Sequence, residues 1–435
     1  MAIEQEISGL IKEALEGSSH FEALETLVRN TSLRIGAEFL QEMINSDTSD
    51  SQPFITHPDG TVMNYAGRRD KTFVTVLGDI TLKRAYYTDE NGRGYYPRDE
   101  KLGLDKDSLS DGVKRMVGHT ASILSFKASS LMLENLTTLH VGAKQIERAS
   151  EDLGREIAEN EKNIVVEGIP CSKTMYLGID GTGCPVRKEE TEGRKGKQPD
   201  GSAKTREVKL AVTFSADRLD KNGTPVRDEG SVTYNAAIES AATGDLDENI
   251  SDFASRVERE SKRRGFEKAE RQVILGDGAK WIWNIAGDLF PGAIQIIDLY
   301  HAKGTISRVA KEVFGINSDF GKQWGKELRD DLEAGRIDTI LEKLKPYLED
   351  FKEAESCRKY LLNNRDKLNY PYFRELGLST SSGIVESGCR HVIGARVKQS
   401  GMHWTVEGAN SIISLRCSKL SNRFEDFMTE RKKSA

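Results

Sequence analysis

The sequence predicts an α/β protein: a mixed sheet with flanking helices and a helical insertion, preceded by an α-rich region that holds a β-hairpin. Three observations predict it. Short apolar or alternating runs recur at 174–179, 206–214, 230–237, 272–275 and 293–299, with helical periodicity between and after them. Two of those runs end in a carboxylate beside glycine: Asp180 in Gly178-Ile-Asp-Gly-Thr-Gly183, and Asp277 in Leu275-Gly-Asp-Gly-Ala279. A third acid, Glu386 in Gly383-Ile-Val-Glu-Ser-Gly-Cys389, lies on a helix expected from about Ser382 to Val397.

Along the chain, residues 1–45 read as amphipathic helix, with Ile7, Leu10, Ile11 and Leu15, then Leu24, Leu27 and Leu33, near helical spacing. Residues 45–64, rich in Ser, Asp, Pro and Gly, read as a linker. Thr72 to Tyr87 alternates apolar and β-branched residues around Gly78-Asp79, the pattern of a hairpin. Helices over Ala121–Leu133 and Ala143–Ala158 flank a turn at Asn135–Gly142. This is the pattern of a helix-turn-helix, whose second helix can enter a DNA major groove and read it with Lys144, Gln145 and Arg148. A plain helical hairpin is the alternative. Residues 188–204, full of Gly, Lys and Glu, form a flexible loop after Asp180, and residues 307–370 are helical and charged, as an insertion would be. The boundaries follow: 1–105, helices with the hairpin; 106–165, the helix-turn-helix-like DNA-binding region; and 166–435, the catalytic domain, with its insertion at 303–375.

The 435 residues are 30% charged and 37% hydrophobic, which suits a globular protein with a sizeable core. No apolar run is long enough to span a bilayer, and the acidic start lacks the layout of a secretion signal, so a cytoplasmic location is expected, without membrane partners. Five scattered cysteines without a C-x-x-C pair point to reduced thiols, read as buried small hydrophobes. The net charge of −6 argues mildly against nucleic-acid binding, but basic clusters flank the carboxylates at Arg187–Lys188, Lys204–Lys209 and Arg390–Lys398.

A lone carboxylate ending a core strand costs several kcal/mol unless something pairs with it. Twice in one chain, with a third acid on a later helix, the simplest partner is a shared hard cation: two Mg²⁺ or Mn²⁺ ions held by Asp180, Asp277 and Glu386. Acids on a first strand, on a fourth strand and on a late helix after an insertion are the order of an RNase H-like nuclease core. The chain also resembles a known family, the DDE transposases of bacterial insertion sequences, specifically the ISKra group, relatives of the Mutator-like transposases. The resemblance covers most of the chain from Thr72 and is strongest from Leu177 to Phe427. Beside the three acidic stretches it is carried by Ala203-Lys-Thr-Arg-Glu-Val-Lys209, Trp281-Ile-Trp-Asn284, Asp298-Leu-Tyr-His301, Gly401-Met-His-Trp404 and Leu415-Arg-Cys417.

The resemblance implies that Asp180, Asp277 and Glu386 are metal ligands and that His301, in a D-x-x-H signature, stands beside them. His301 would contact a phosphate or orient Asp277, unless it only caps the insertion. Arg390, one turn beyond Glu386, would hold that carboxylate or the DNA backbone, and Arg396 and Lys398 would extend the positive face. Trp281, Trp283 and Trp404 would stack on unpaired bases or pack in the core. The implied activity is cleavage and strand transfer of double-stranded DNA at terminal inverted repeats, by a homodimer or higher oligomer assembled on DNA. Two other readings remain: an ATP-dependent phosphotransferase of the actin and sugar-kinase type, for which residues 178–183 would be a phosphate loop, and a non-catalytic DNA-binding descendant of a transposase.

Overall fold

The computed structural model describes residues 8–9, 12, 20–104, 107–163, 172–196, 198–221, 223–241, 251–381 and 383–431. The expected helical positions Ile7, Leu10, Ile11 and Leu15, and Cys171, lie outside the described residues. The chain forms two compact units, residues 1–153 with 425–435, and residues 154–424.

In the first unit, helix α1 (Phe21–Ser46) lies on an antiparallel sheet of β1 (Phe54–Thr56), β2 (Val62–Thr75), β3 (Gly78–Thr88) and β4 (Gly94–Tyr95), in that order. Ala37, Leu40 and Ile44 of α1 meet Phe73, Ile80 and Leu82 of the hairpin. The expected linker is therefore partly strand, and the hairpin turns at Val76-Leu77 rather than at Gly78-Asp79. Thr75 pairs with Gly78, and its hydroxyl closes the turn by donating to the Gly78 carbonyl (2.8 Å) and accepting from the Leu77 N–H (3.2 Å).

After a short helix α2 (Pro97–Lys101) come α3 (Asp111–Ala121), α4 (Phe126–Thr137) and α5 (Ala143–Asn160). The helix expected over Ala121–Leu133 begins only at Phe126, because Ser125 accepts from the Ala128 N–H and caps its start. Thr138 adopts a left-handed φ of 61° and ends α4. Val113, Val117, Leu133, Val141, Ile146 and Ala149 form the core of these helices.

The second unit carries the strands β5 (Thr174–Pro185), β6 (Thr205–Ser215), a separate ribbon of β7 (Arg218–Leu219) and β8 (Pro225–Val226), then β9 (Thr233–Ala237), β10 (Arg271–Gly276) and β11 (Ile294–Ile297). The main sheet has the order β11-β10-β5-β6-β9. β5, β10 and β11 run parallel, β6 runs antiparallel to β5, and β9 antiparallel to β6. Helices α6 (Asp252–Arg263) and α7 (Lys280–Leu289) cover one face, where Phe253, Val257, Ile282 and Ile285 bury Leu177, Ile179 and Ile274.

The insertion is helical as expected: α8 (Leu299–Phe314), α9 (Asp319–Glu333), α10 (Ile337–Leu344), α11 (Lys352–Asn363) and α12 (Tyr370–Glu375). It is followed by α13 (Gly383–Gly388), a π-helical turn (Cys389–Gly394), α14 (Ala395–Val397), α15 (Val406–Leu420) and α16 (Phe424–Arg431). No helix among the described residues is long and apolar enough to cross a membrane.

α13 covers the other face of the sheet through two glycine contacts. A Cβ on Gly178 would stand 2.1 Å from Val385 Cγ2, and one on Gly388 would stand 2.9 Å from Leu210. Overpacking of this kind costs about 2 kcal/mol. Gly178→Ala is therefore expected to lower the unfolding free energy in urea by that amount at unchanged m-value, and Val385→Ala in the same chain to restore part of it. Wild-type stability of Gly178→Ala would show that the contact is slack.

Candidate active site

Side chains alternate across a strand, so Gly178, Asp180 and Thr182 share the α13 face of β5. β10 runs parallel beside it with Val273 opposite Tyr176 and Leu275 opposite Gly178. Carrying that register two residues on sets Asp277, just past the end of β10, opposite Asp180 and on the same face. Asp180 itself lies within β5, five residues before its end, and the Asp277 charge acts on it. Burial, and then the Asp277 charge, push the Asp180 carboxyl above its ordinary value of 3.8. The backbone fixes both groups locally: Asp180 accepts from the Gly181 N–H (2.7 Å), and Asp277 accepts from the Ala279 N–H (2.8 Å) in an Asx turn.

α13 and the turn after it follow the same strand face. Val385 meets Gly178, Cys389 Sγ lies 3.4 Å from Asp180 Oδ2, and Lys398 Nζ donates to the Thr182 hydroxyl. Burial, and then the Asp180 charge, push the Cys389 thiol up, with Glu386, one turn before it, adding a little; the Glu386 side chain is 70% exposed and pairs with Arg390 at 3.5 Å. The structure thus brings Asp180 and Asp277 together and leaves Glu386 turned toward Arg390. Among the described residues, no three His, Cys, Asp or Glu side chains are arranged to hold a metal ion. As hard oxygen donors that repel each other, the two aspartates fit a divalent cation. The three-acid cluster expected from the sequence is not formed.

His301 sits in the first turn of α8, whose N-cap is Asp298, a buried residue whose carboxylate accepts from the His301 N–H (2.8 Å) and lies 3.4 Å from His301 Nδ1. The hydrogen bond to Asp298 comes first in raising the His301 pKa above 6.5, and Asp180 and Asp277 add to it. His301 is therefore oriented by Asp298, and it shares the electrostatic field of both aspartates.

Several expected roles need correction. Arg396 is fully buried, with its guanidinium over the Trp404 ring at 5.2 Å and Nη1 3.7 Å from Met402 Sδ, so it presents no charge to DNA. Trp404 is buried and donates from Nε1 to the Val397 carbonyl (3.0 Å), and Trp281 and Trp283 pack against the sheet core. Gly181-Thr-Gly183 is strand, paired with Lys209, Val208 and Glu207, and not a loop; Cβ atoms there would meet the side chains of Glu207 and Thr205. In the first unit, Lys144 and Arg148 lie exposed on α5, Lys144 pairing with Glu147 at 2.8 Å. Gln145 instead accepts from the Gly142 N–H (3.0 Å) and caps the start of the helix.

A family model described as an uncharacterised protein family, UPF0236, matches residues 15–425. The chain belongs to the UPF0236 family. A UPF0236 protein in the vanSb 3′ region of Streptococcus gallolyticus is 23% identical over 82% of this chain and 74% of its own length. A second relative, from Caldanaerobacter subterraneus subsp. tengcongensis, is 28% identical over 80% of this chain and 68% of its own length. Among solved structures, a Drosophila P element transposase strand transfer complex is similar over 76% of this chain and 83% of that chain, at 12% identity and a TM-score of 0.26, too slight a likeness to argue from.

Three contacts of this UPF0236 site escaped the sequence reading. Cys389 touches Asp180 and is only half-buried. Tyr360, from α11 of the insertion, donates to the Asp277 carbonyl (3.1 Å) and fills the space beside Gly278, whose φ is +102°. Asp298 orients His301 from inside the D-x-x-H stretch.

Because the folded pKa of Asp180 is raised, the native chain holds a proton that the unfolded chain has already released, and stability falls as pH rises from about 4 through the folded value. Asp180→Asn is expected to melt above wild type at pH 7, with the gap closing as pH approaches 4; a gap that is the same at both pH values would contradict this. For His301 the shift stabilises the fold below pH 6.5 and is lost as pH rises through the raised value. Asp298→Asn is expected to lower the His301 pKa in an NMR titration.

Proposed function

We propose that this chain is a DNA transposase that cuts and joins phosphodiesters at the ends of its own element, with Asp180 and Asp277 as the reactive acidic pair. The observation that carries the proposal is the Asp277 charge acting on the partly buried Asp180 carboxylate, with β10, which ends at Gly276, running parallel beside β5. A pair of carboxylates in partial burial calls for positive charge. The strand order supports an RNase H-like reading: β5 is central, β6 lies antiparallel to it on one side with β9 antiparallel to β6, and β10 and β11 lie parallel to β5 on the other. The order of motifs shared with DDE transposases of the ISKra group points the same way. So does a Caldanaerobacter relative whose name joins eleven locus designations. One protein at many loci of a genome is what a self-moving element leaves behind.

Mg²⁺ or Mn²⁺, held by Asp180 and Asp277 and, for a second ion, by Glu386, would supply Lewis-acid activation of a phosphate oxygen and of the attacking water or 3′-hydroxyl. The chain's own residues bind and orient. His301, kept cationic to higher pH by Asp298, offers an N–H to a phosphate oxygen. Lys398, anchored on Thr182, adds positive charge along the same strand face. Glu386 joins the aspartates only by leaving Arg390, whose guanidinium is then released to the DNA backbone. Lys144 and Arg148 on α5 serve the terminal inverted repeats, and two ends held together call for at least a dimer on DNA.

The competing phosphotransferase reading loses its main support, since its phosphate loop is ladder-paired strand. The non-catalytic reading fits poorly with two retained, closely set aspartates.

Purified protein is expected to nick and join DNA carrying the flanks of its own gene in Mg²⁺ or Mn²⁺, and to lose this with EDTA, Asp180→Asn or Asp277→Ala. Mg²⁺ is also expected to raise the Tm of wild type and not of Asp277→Ala. Wild type that leaves such DNA intact in both metals, with no Mg²⁺ shift in Tm, would overturn the proposal.

A further inference from the structure

The helix that carries Glu386 continues through a π-helical turn, Cys389–Gly394, in which the Ala395 N–H donates to the Arg390 carbonyl five residues back. A π turn holds one residue more than an α turn. Since one residue is about 100° of an α-helix, the turn sets the rotation of α13 relative to α14, which follows it. Here Val385 and Cys389 face Gly178 and Asp180, and the next pair along, Glu386 and Arg390, is rotated to the exposed side.

Such a turn is rare and needs support for carbonyls that leave the regular ladder. Its support comes from α15. Arg416, 6% exposed, donates from Nε to the Val392 carbonyl (2.7 Å) and from Nη2 to the His391 carbonyl. A guanidinium is a costly group to bury, and its rigid fork meets two adjacent carbonyls in a way that a lysine ammonium cannot.

We propose that Arg416 is a positioning residue for the aspartate site: by holding the His391 and Val392 carbonyls it fixes the π turn, and so sets the rotation of α13 relative to α14. Its bearing on catalysis rests on the reading of Asp180 and Asp277 as the reactive acids; its hold on the turn does not.

The test uses the full chain with Arg416→Lys, which keeps the charge in place, and Arg416→Met, which fills the space without a donor. The first readout needs no activity: the rate at which iodoacetamide alkylates Cys389 in the native protein, followed peptide by peptide, with buried Cys357 as the folding control. Both variants are expected to change Cys389 labelling severalfold while Cys357 stays protected. The second readout is cleavage, where kcat is expected to fall about tenfold, the usual scale for groups that orient ligands, at unchanged KM for DNA. Cys389 labelling at the wild-type rate in variants that keep Cys357 protected overturns the proposal, whatever happens to activity. Altered labelling in a protein whose wild type cuts no DNA upholds the hold on the turn and sinks the transposase reading instead.

Discussion

Everything at the site depends on the register between β5 and β10. A parallel ladder that sets Leu275 opposite Gly178 brings Asp277 to Asp180, and the alternation of side chains puts both on the face that α13 covers. A slip of one residue would turn every β10 side chain to the opposite face. Ile274 would then leave the core it shares with Ile282 and Ile285, so the apolar packing that stabilises the sheet also enforces the pairing of the two acids.

That pairing is unfavourable by itself, and the surrounding structure holds it. Tyr360 ties the Asp277 carbonyl to the insertion, Asp298 anchors α8 to the end of β11 by donating its N–H to the Gly276 carbonyl (2.9 Å), and Cys389 closes over Asp180. Two of these contacts hold the backbone around Asp277, and the third touches the Asp180 carboxylate itself.

How much of this was legible in the sequence follows from the range of each signal. Apolar runs of four to six residues ending in Asp-Gly made β5 and β10 legible locally, but only β10 stops at its carboxylate; β5 runs on to Pro185 because its glycines pair with β6, a partner distant in the chain. The insertion and the helix bearing Glu386 were visible by periodicity. The turn at Val76-Leu77 was not, because the Thr75 hydroxyl does there what glycine usually does. Arg396 looked like a surface charge since nothing near it in sequence reveals the Trp404 ring that covers it. Cys389, Tyr360 and Arg416 act on partners that are distant in the chain or belong to a turn geometry with no sequence signature. The outward set of Glu386 has the same origin: helical spacing places it one turn from Cys389, and the close contacts of Gly178 with Val385 and of Gly388 with Leu210, distant in the chain, turn the opposite side of α13 to the sheet.

The central claim is the apposition of Asp180 and Asp277, and it can be tested without metal or DNA. A carboxyl titration of ¹³C-aspartate-labelled protein, comparing wild type with Asp277→Asn, reads the Asp180 pKa directly. The account predicts a lower Asp180 pKa once the neighbouring charge is gone. An Asp180 titration that is identical in the two proteins would contradict it.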